Sequence, residues 1–315
     1  MNRREFIGSA AATLAAGCAG VRPAARGAAG GCGYSFDQQA GLRLPGRGLA
    51  EPLRFWVIAD SHLNLRDERD ARYAEGIKWI GGEWGGKITC REAFLKILDA
   101  AKKQKPDLLV LPGDIVSFPT LANVEFAKRE LDACGIPWIY VAGNHDWHIR
   151  LEKGTPEELR RKWTVERLAP LYQGANPQFG SRVVKGVRFI LIDNSLNNVT
   201  DEQTAFFLAE AAKGDPVCLC MHVPFWHEGW GTDTCACPDW GKRERKWEEF
   251  IFGAPRGDRQ DESTFAFRRA VEATSNLIGV FAGHMHRWQL AQGPGFVEVT
   301  ATGAMFGDCL KVEIS

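Results

Sequence analysis

The chain has 315 residues with 39 basic and 39 acidic side chains, 45% apolar and 25% charged, so its formal net charge is zero. These values fit a globular chain long enough for a sizeable core, and they exclude a protein built to hold a polyanion, which would carry a basic surplus or stripe. The short basic run KRERK at 242–246 is flanked by acids and reads as a solvated face, so no specific nucleic-acid partner is expected.

Taken in chain order, residues 1–18 are not fold material. Arg3 and Arg4 precede Phe6, Ile7 and an Ala-rich apolar stretch too short to span a bilayer as a finished helix. The stretch looks like a twin-arginine export signal. Its end, Ala15-Ala16-Gly17-Cys18, resembles a bacterial lipoprotein cleavage site, with the large aliphatic residue one place further back, at Leu14. Lipidation of Cys18, which would tether the chain to a membrane, and plain cleavage further along both stay open. The expected location is outside the cytoplasmic membrane, periplasmic or tethered to its outer side. Residues 19–50 are rich in Gly, Ala, Pro and Arg without a sustained period and read as a flexible linker. Residues 51–315 read as one folded domain, with no internal repeat.

Within that domain, short apolar β-branched runs alternate with helical patterns. LRFWVIAD, LLVLPGD, WIYVAGN, VRFILIDN, VCLCMHV and LIGVFAGH are strand candidates, and FVEVTA and LKVEI close the sheet system. Phe94, Ile97, Leu98 and Ala101 recur at helical spacing before Pro106. Near-continuous apolar strands between helices predict sheets covered on both faces. Cys218 and Cys220 fall on one face of a strand and read as small core residues. Cys235 and Cys237 lie in a polar loop, where a disulfide and free thiols are both open.

Five of these strands end in potential metal ligands: Asp60-Ser61-His62, Gly113-Asp114, Gly143-Asn144-His145-Asp146, Met221-His222-Val223-Pro224 and Gly283-His284-Met285-His286. They hold five of the seven histidines. Sites assemble at the carboxyl ends of strands in α/β sheets, so these endings can converge. Neutral imidazoles with a few carboxylate and amide oxygens suit zinc, manganese or iron, whereas calcium or magnesium would want nearly all-oxygen shells. There are enough donors for two ions. Two cations roughly 3.5 to 4 Å apart could share one carboxylate, activate a water and clamp both oxygens of an in-line displacement at phosphorus.

In this respect the chain resembles the calcineurin-like metallophosphoesterase superfamily, whose ordered signature is met by DSH, GDIVS, GNHD, MHVP and GHMH. The resemblance implies a four-layer α-β-β-α sandwich of two mixed β-sheets flanked by helices. It implies that Asp60, His62 and His286 hold one transition-metal ion, that Asn144, His222 and His284 hold the other, and that Asp114 bridges them. It places His145 at the substrate and leaves the metals to be manganese, zinc or iron. Asp146 is then expected to orient the His145 imidazole. Ser117 departs from the Asp or Asn usual three residues after the bridging aspartate, and argues against an iron–tyrosinate site.

Residues 63–88 and 225–260 read as long loops carrying Trp79, Trp84, Trp226, Trp230, Trp240 and Trp247. These tryptophans would either stack on substrate or give the loops a small core of their own. Asn194, Trp226, His227 and Trp230 are candidate substrate contacts, and His148 reads as a rim residue. The expected activity is that of an exported phosphoesterase acting on a small phosphate ester or nucleotide-like substrate, a mono- or diester, through a metal-bridging hydroxide. The alternative is a non-catalytic exported binding protein on the same scaffold. The H-x-H-x-D-H cluster typical of metallo-β-lactamase-like enzymes, which act on amides or lactones, is absent.

Overall fold

The computed structural model describes residues 33–37, 41–46, 48–78, 88–227 and 260–315. Two six-stranded sheets face one another. The first, in spatial order, joins β1 (Ser35–Asp37), β2 (Gly41–Leu44), β12 (Leu310–Ile314), β3 (Leu53–Val57), β4 (Leu108–Pro112) and β5 (Trp138–Val141). The second joins β10 (Gln289–Gln292), β11 (Val297–Thr300), β9 (Leu277–Ala282), β8 (Val217–Cys220), β7 (Val187–Ile192) and β6 (Phe179–Val184). Both are mixed: β3–β4–β5 and β7–β8–β9–β11 run parallel, while β12–β3, β6–β7 and β10–β11 are antiparallel.

Alternation along the strands sorts side chains into three apolar layers. Phe55, Val57, Leu108, Val110, Phe189, Cys218, Cys220 and Phe281 fill the space between the sheets. Phe55 meets Phe189 and Phe281 edge to face, each with centroids 5.0 Å apart. Burying each of these rings stabilises the sandwich by about 2 kcal/mol. Trp56, Leu109 and Leu111 point the other way, against α2 (Cys90–Gln104) and α3 (Leu121–Cys134). Ile190, Leu219 and Val280 pack on α6 (Asp201–Ala211) and α7 (Glu262–Glu272). The predicted four-layer α-β-β-α sandwich is thus present. Helix starts follow their capping chemistry: Thr89 and Glu92 form a capping box at α2, Thr155 and Glu158 at α4 (Pro156–Trp163), which precedes the short α5 (Ala169–Tyr172), and Thr200 and Gln203 at α6.

Two segments differ from the sequence expectation. Within the expected linker, β1 and β2 form strands; β2 pairs in parallel with β12 and buries Leu42 and Leu44, so the sheet begins before residue 51. The expected loop from residue 63 holds a 3-10 helix, Glu68–Tyr73, running into α1 (Ala74–Lys78). It is pinned by the buried Asp70, which accepts from the Leu121 amide at 2.8 Å and pairs with Arg167 at 3.2 Å. Strands β6 and β10 were also not predicted. Cys18, Cys235, Cys237, Trp79, Trp84, Trp230, Trp240 and Trp247 lie outside the described residues. No described helix is long and apolar enough to cross a membrane.

Candidate metal centre

The five polar strand endings meet at one edge of the sandwich. Each turns sharply as its strand stops, and Asp60, His62, Asp114, His284 and His286 all take left-handed backbone, with φ of 54°, 45°, 52°, 70° and 53°. Non-glycine residues pay on the order of 1–3 kcal/mol for such strain, which persists where surrounding contacts hold it and clusters at functional sites. Here the holding contacts are visible: the Asp60 amide donates to the Gly113 carbonyl at 3.1 Å, His62 N to Asp114 O at 2.9 Å, and Met305 N to Asp60 O at 3.1 Å. Two glycines permit the approach. A Cβ on Gly113, whose φ is +87°, would lie 2.4 Å from the Gly143 nitrogen, and one on Gly143 would lie 2.2 Å from Asp114 Oδ1.

The donors form two clusters that share Asp114: Asp60, His62, Asp114 and His286, and Asp114, His222 and His284. In the first, His62 Nε2 and His286 Nε2 are 3.0 Å apart, and Asp60 Oδ1 is 3.5 Å from His286 Nε2. In the second, His222 Nε2 lies 3.2 Å from His284 Nδ1, 3.1 Å from Asn144 Oδ1 and 3.3 Å from Asp114 Oδ2. Asn144 therefore joins the second cluster. Asp114 Oδ2 also stands 3.8 Å from His62 Nε2, so one oxygen faces both groups, while Oδ1 accepts from the His145 amide at 2.8 Å.

The donor set calls for a cation. His222 Nδ1 lies 2.8 Å from the Pro112 carbonyl, which can only accept, so Nδ1 carries a proton and Nε2 faces Asn144 Oδ1, Asp114 Oδ2 and His284 Nδ1. These electron-rich atoms crowd one point and repel unless a cation, either a proton on Nε2 or a metal ion, sits among them. Ligand atoms about 2.0–2.2 Å from one ion fall roughly 3.0–3.5 Å apart, the spacing found here.

Charge balance points the same way. Burial, then neighbouring imidazoles, hold His62 and His284 well below the usual imidazole value and His286 down to about 3, so all three offer lone pairs at neutral pH. Burial pushes Asp114 up, but His222, His145 and His62 outweigh it and hold the carboxylate well below its usual range. Burial would depress His222, yet Asp114 and Asp60 raise it to about 9, and a cation binding at Nε2 releases that proton.

His145 stands over the first cluster, its ring edge-on to His62 with centroids 4.8 Å apart, and its Nδ1 has no hydrogen-bond partner. Asp146 does not orient that ring, contrary to expectation. Its carboxylate accepts from the amides of Gly143 at 2.8 Å, Asp114 at 2.9 Å and Val116 at 2.9 Å, clamping two ligand loops together. Burial first, and then Asp114, raise its pKa to about 7.

Asn194 is not a substrate contact either. It is fully buried, accepts from the amides of His222 and Val223 at 3.1 and 3.0 Å, and donates to the Val223 carbonyl at 2.7 Å. Trp226 and His227 are half-buried in the segment leaving His222. His227 Nε2 is committed to the buried carboxylate of Glu298 at 2.6 Å, which also accepts from the Phe225 amide at 2.7 Å. Trp230 lies outside the described residues. Two supporting roles are not legible in the sequence. Ser117 Oγ donates to the His62 carbonyl at 3.0 Å, and Glu298 was signalled only as a charge within an otherwise apolar strand.

Residues 53–288 match the description of the calcineurin-like phosphoesterases. The chain belongs to this family. It is accordingly a metal-dependent phosphoric ester hydrolase. Among solved structures it is similar to a dimetal phosphatase from Danio rerio, at 14% identity and a TM-score of 0.50, covering 81% of this chain and 89% of that one. It is also similar to the purple acid phosphatase PPD1 of yellow lupin (Lupinus luteus), at 12% identity and a TM-score of 0.52, covering 84% of this chain and 46% of that one. A 61-residue stretch, 19% of this chain, is 36% identical to a probable cyclic nucleotide phosphodiesterase of Moraxella catarrhalis (strain BBH18) and spans 22% of that protein.

Proposed function

We propose that this phosphoesterase works with two transition-metal ions, manganese, zinc or iron, on a small nucleotide-like phosphodiester. Asp60, His62, Asp114 and His286 would hold one ion, and Asp114, Asn144, His222 and His284 the other. The observation that carries this reading is the single Asp114 oxygen facing imidazoles of both clusters, at 3.3 and 3.8 Å. The preference for a nucleotide diester rests on the likeness of one short stretch to the Moraxella protein. When bound, two such ions supply Lewis acidity and an activated water for in-line displacement at phosphorus.

The chain's own part is positioning and proton transfer. Asp114, ionised through the neutral range, sets the spacing of the two clusters. His145, whose backbone amide donates a hydrogen bond to Asp114 Oδ1, presents its ring to a non-bridging phosphate oxygen and can protonate the departing one. The test is hydrolysis of bis-p-nitrophenyl phosphate, p-nitrophenyl phosphate and 3′,5′-cyclic AMP, with and without manganese, beside His145→Ala. Diester turnover that requires metal, falling roughly 10²- to 10⁴-fold in the variant while metal content holds, is the expected result. Two bound metals with no turnover on any ester would return the binding-protein alternative.

The paired arginines and Cys18 support an exported, periplasmic or membrane-tethered enzyme. Fractionation of cells expressing the full chain and Arg3→Lys/Arg4→Lys tests this: the variant should stay in the cytoplasm.

A further inference from the structure

The two clusters are braced differently behind their ligands, and the brace of the second is a short turn after β7 to which the phosphoesterase signature gives no role. We infer that Asp193-Asn194-Ser195 is a positioning element for the second metal site, with Asn194 its working residue. The inference rests on the two-cation reading above.

Three hydrogen bonds from the Asn194 carboxamide hold both sides of the His222–Val223 peptide, its oxygen taking the two amides and its nitrogen giving to the Val223 carbonyl. The held residue passes the constraint on. The His222 carbonyl accepts from the Gly283 amide at 3.0 Å, immediately before His284, so the same grip reaches both imidazoles of the second cluster. Its flanking residues reach the segment that carries Asn144. Ser195 Oγ accepts from Trp147 Nε1 at 2.9 Å, three residues after Asn144, and donates to Asp193 Oδ1 at 2.6 Å. Asp193 is anchored in turn by Arg160 Nε at 3.0 Å, and its carbonyl by Gln203 Nε2 at 2.7 Å.

All three residues of the turn are buried. Their hydrogen bonds reach the segments bearing Asn144, His222 and His284. None of these bonds goes to Asp60, His62 or His286. A carboxamide suits the task because it both donates and accepts, as gripping two successive peptide groups requires. Residues behind metal ligands set ligand orientation, and their loss typically lowers metal affinity 10- to 100-fold.

The experiment loads the full chain with manganese and measures metal content and the manganese EPR spectrum for the unmodified protein, Asn194→Ala and Ser195→Ala. The unmodified protein should hold two manganese ions with a coupled dinuclear signal. Asn194→Ala should keep one ion tightly, give a mononuclear six-line signal, and lose second-site affinity on the order of 10- to 100-fold, with the dinuclear signal restored at excess manganese. Ser195→Ala, which removes one hydroxyl, should show a smaller loss at the same site, and it decides the matter if Asn194→Ala does not fold.

Unchanged affinity at both sites, or loss of both ions together, overturns the inference. Fewer than two ions in the unmodified protein would instead overturn the two-cation reading.

Discussion

The two sheets bring different chemistry to the centre. The first supplies oxygen, through Asp60, Asp114 and Asn144, with His62 its one imidazole donor. The second supplies only imidazoles, through His222, His284 and His286. Neither cluster can form within one sheet, because the first needs His286 beside Asp60 and the second needs Asp114 and Asn144 beside His222. The division means that the inter-sheet core, with Phe55 wedged against Phe189 and Phe281, also sets the register of the ligands. Hydrogen bonds also tie the halves directly: the His284 amide donates to both oxygens of Asp60 at 3.0 Å, and His222 Nδ1 donates to the Pro112 carbonyl at 2.8 Å.

The largest effect should come from breaking the one residue that serves both clusters. Asp114→Asn leaves the shape but removes the charge that faces His62 and His222. If this carboxylate bridges two ions as proposed, its loss should remove several kcal/mol of transition-state stabilisation, roughly a 10³-fold fall in turnover, and lower the affinity of both sites. Steady-state rates with metal titration check this. A variant that lost affinity at only one site would show that the clusters do not share the carboxylate.

An intermediate effect separates the oxygen side from the imidazole side by pH. In protein stripped of metal by chelation, His62, His284 and His286 stay neutral in the fold, so each contributes stability present above about 6.5 and lost as pH falls. Asp60 and Asp146, pushed up by burial, act oppositely, their contribution being present below about 3.8 and lost as pH rises. Between those values His222 is protonated, and Asp114 ionised, in both states. Three site imidazoles, with His148 lowered as well, outnumber the two raised carboxyls, so the unfolded chain binds more protons than the folded one. Stability should therefore fall on acidification, as read by thermal melting from pH 6.5 to 4. His286→Ala should flatten that slope, and a chelated protein that gained stability in acid would break the assignment.

The same division explains what could be read in the sequence. Each ligand sits where a buried strand runs out, and a strand buried on both faces is legible as an apolar run, so DSH, GD, GNHD, MHVP and GHMH stood out against LRFWV or LLVLP. The misses lie where that contrast fails. β2 alternates over only four residues, and β6 is an edge strand whose residues are half-buried or exposed, so neither has an apolar run to mark it. Asp146 was assigned to its sequence neighbour, but in the turn after β5 its carboxylate faces backbone amides instead. Asn194 also ends an apolar strand, which is why it read as a rim contact. Only the tertiary fold shows that its carboxamide grips the next strand's end and not the open side.

The smallest effect tests whether the first cluster has a brace of its own. Ser117 is fully buried, its hydroxyl donating to the His62 carbonyl at 3.0 Å and its amide to the Leu63 carbonyl at 2.8 Å. Ser117→Ala deletes the first bond and keeps the second. One lost neutral hydrogen bond costs about 1 kcal/mol, which thermal melting should register, and the backbone of His62 would hold its left-handed turn with one donor fewer. The first site should then lose affinity by less than about tenfold, while the second, gripped from Asn194, keeps its own. The pair of variants makes the comparison sharp, since Ser117→Ala and Asn194→Ala should weaken opposite sites. If both weakened the same site, the clusters would be one mechanical unit whose ligands share their support, as Asp146 already binds the loops of Asp114 and Gly143 through a single carboxylate.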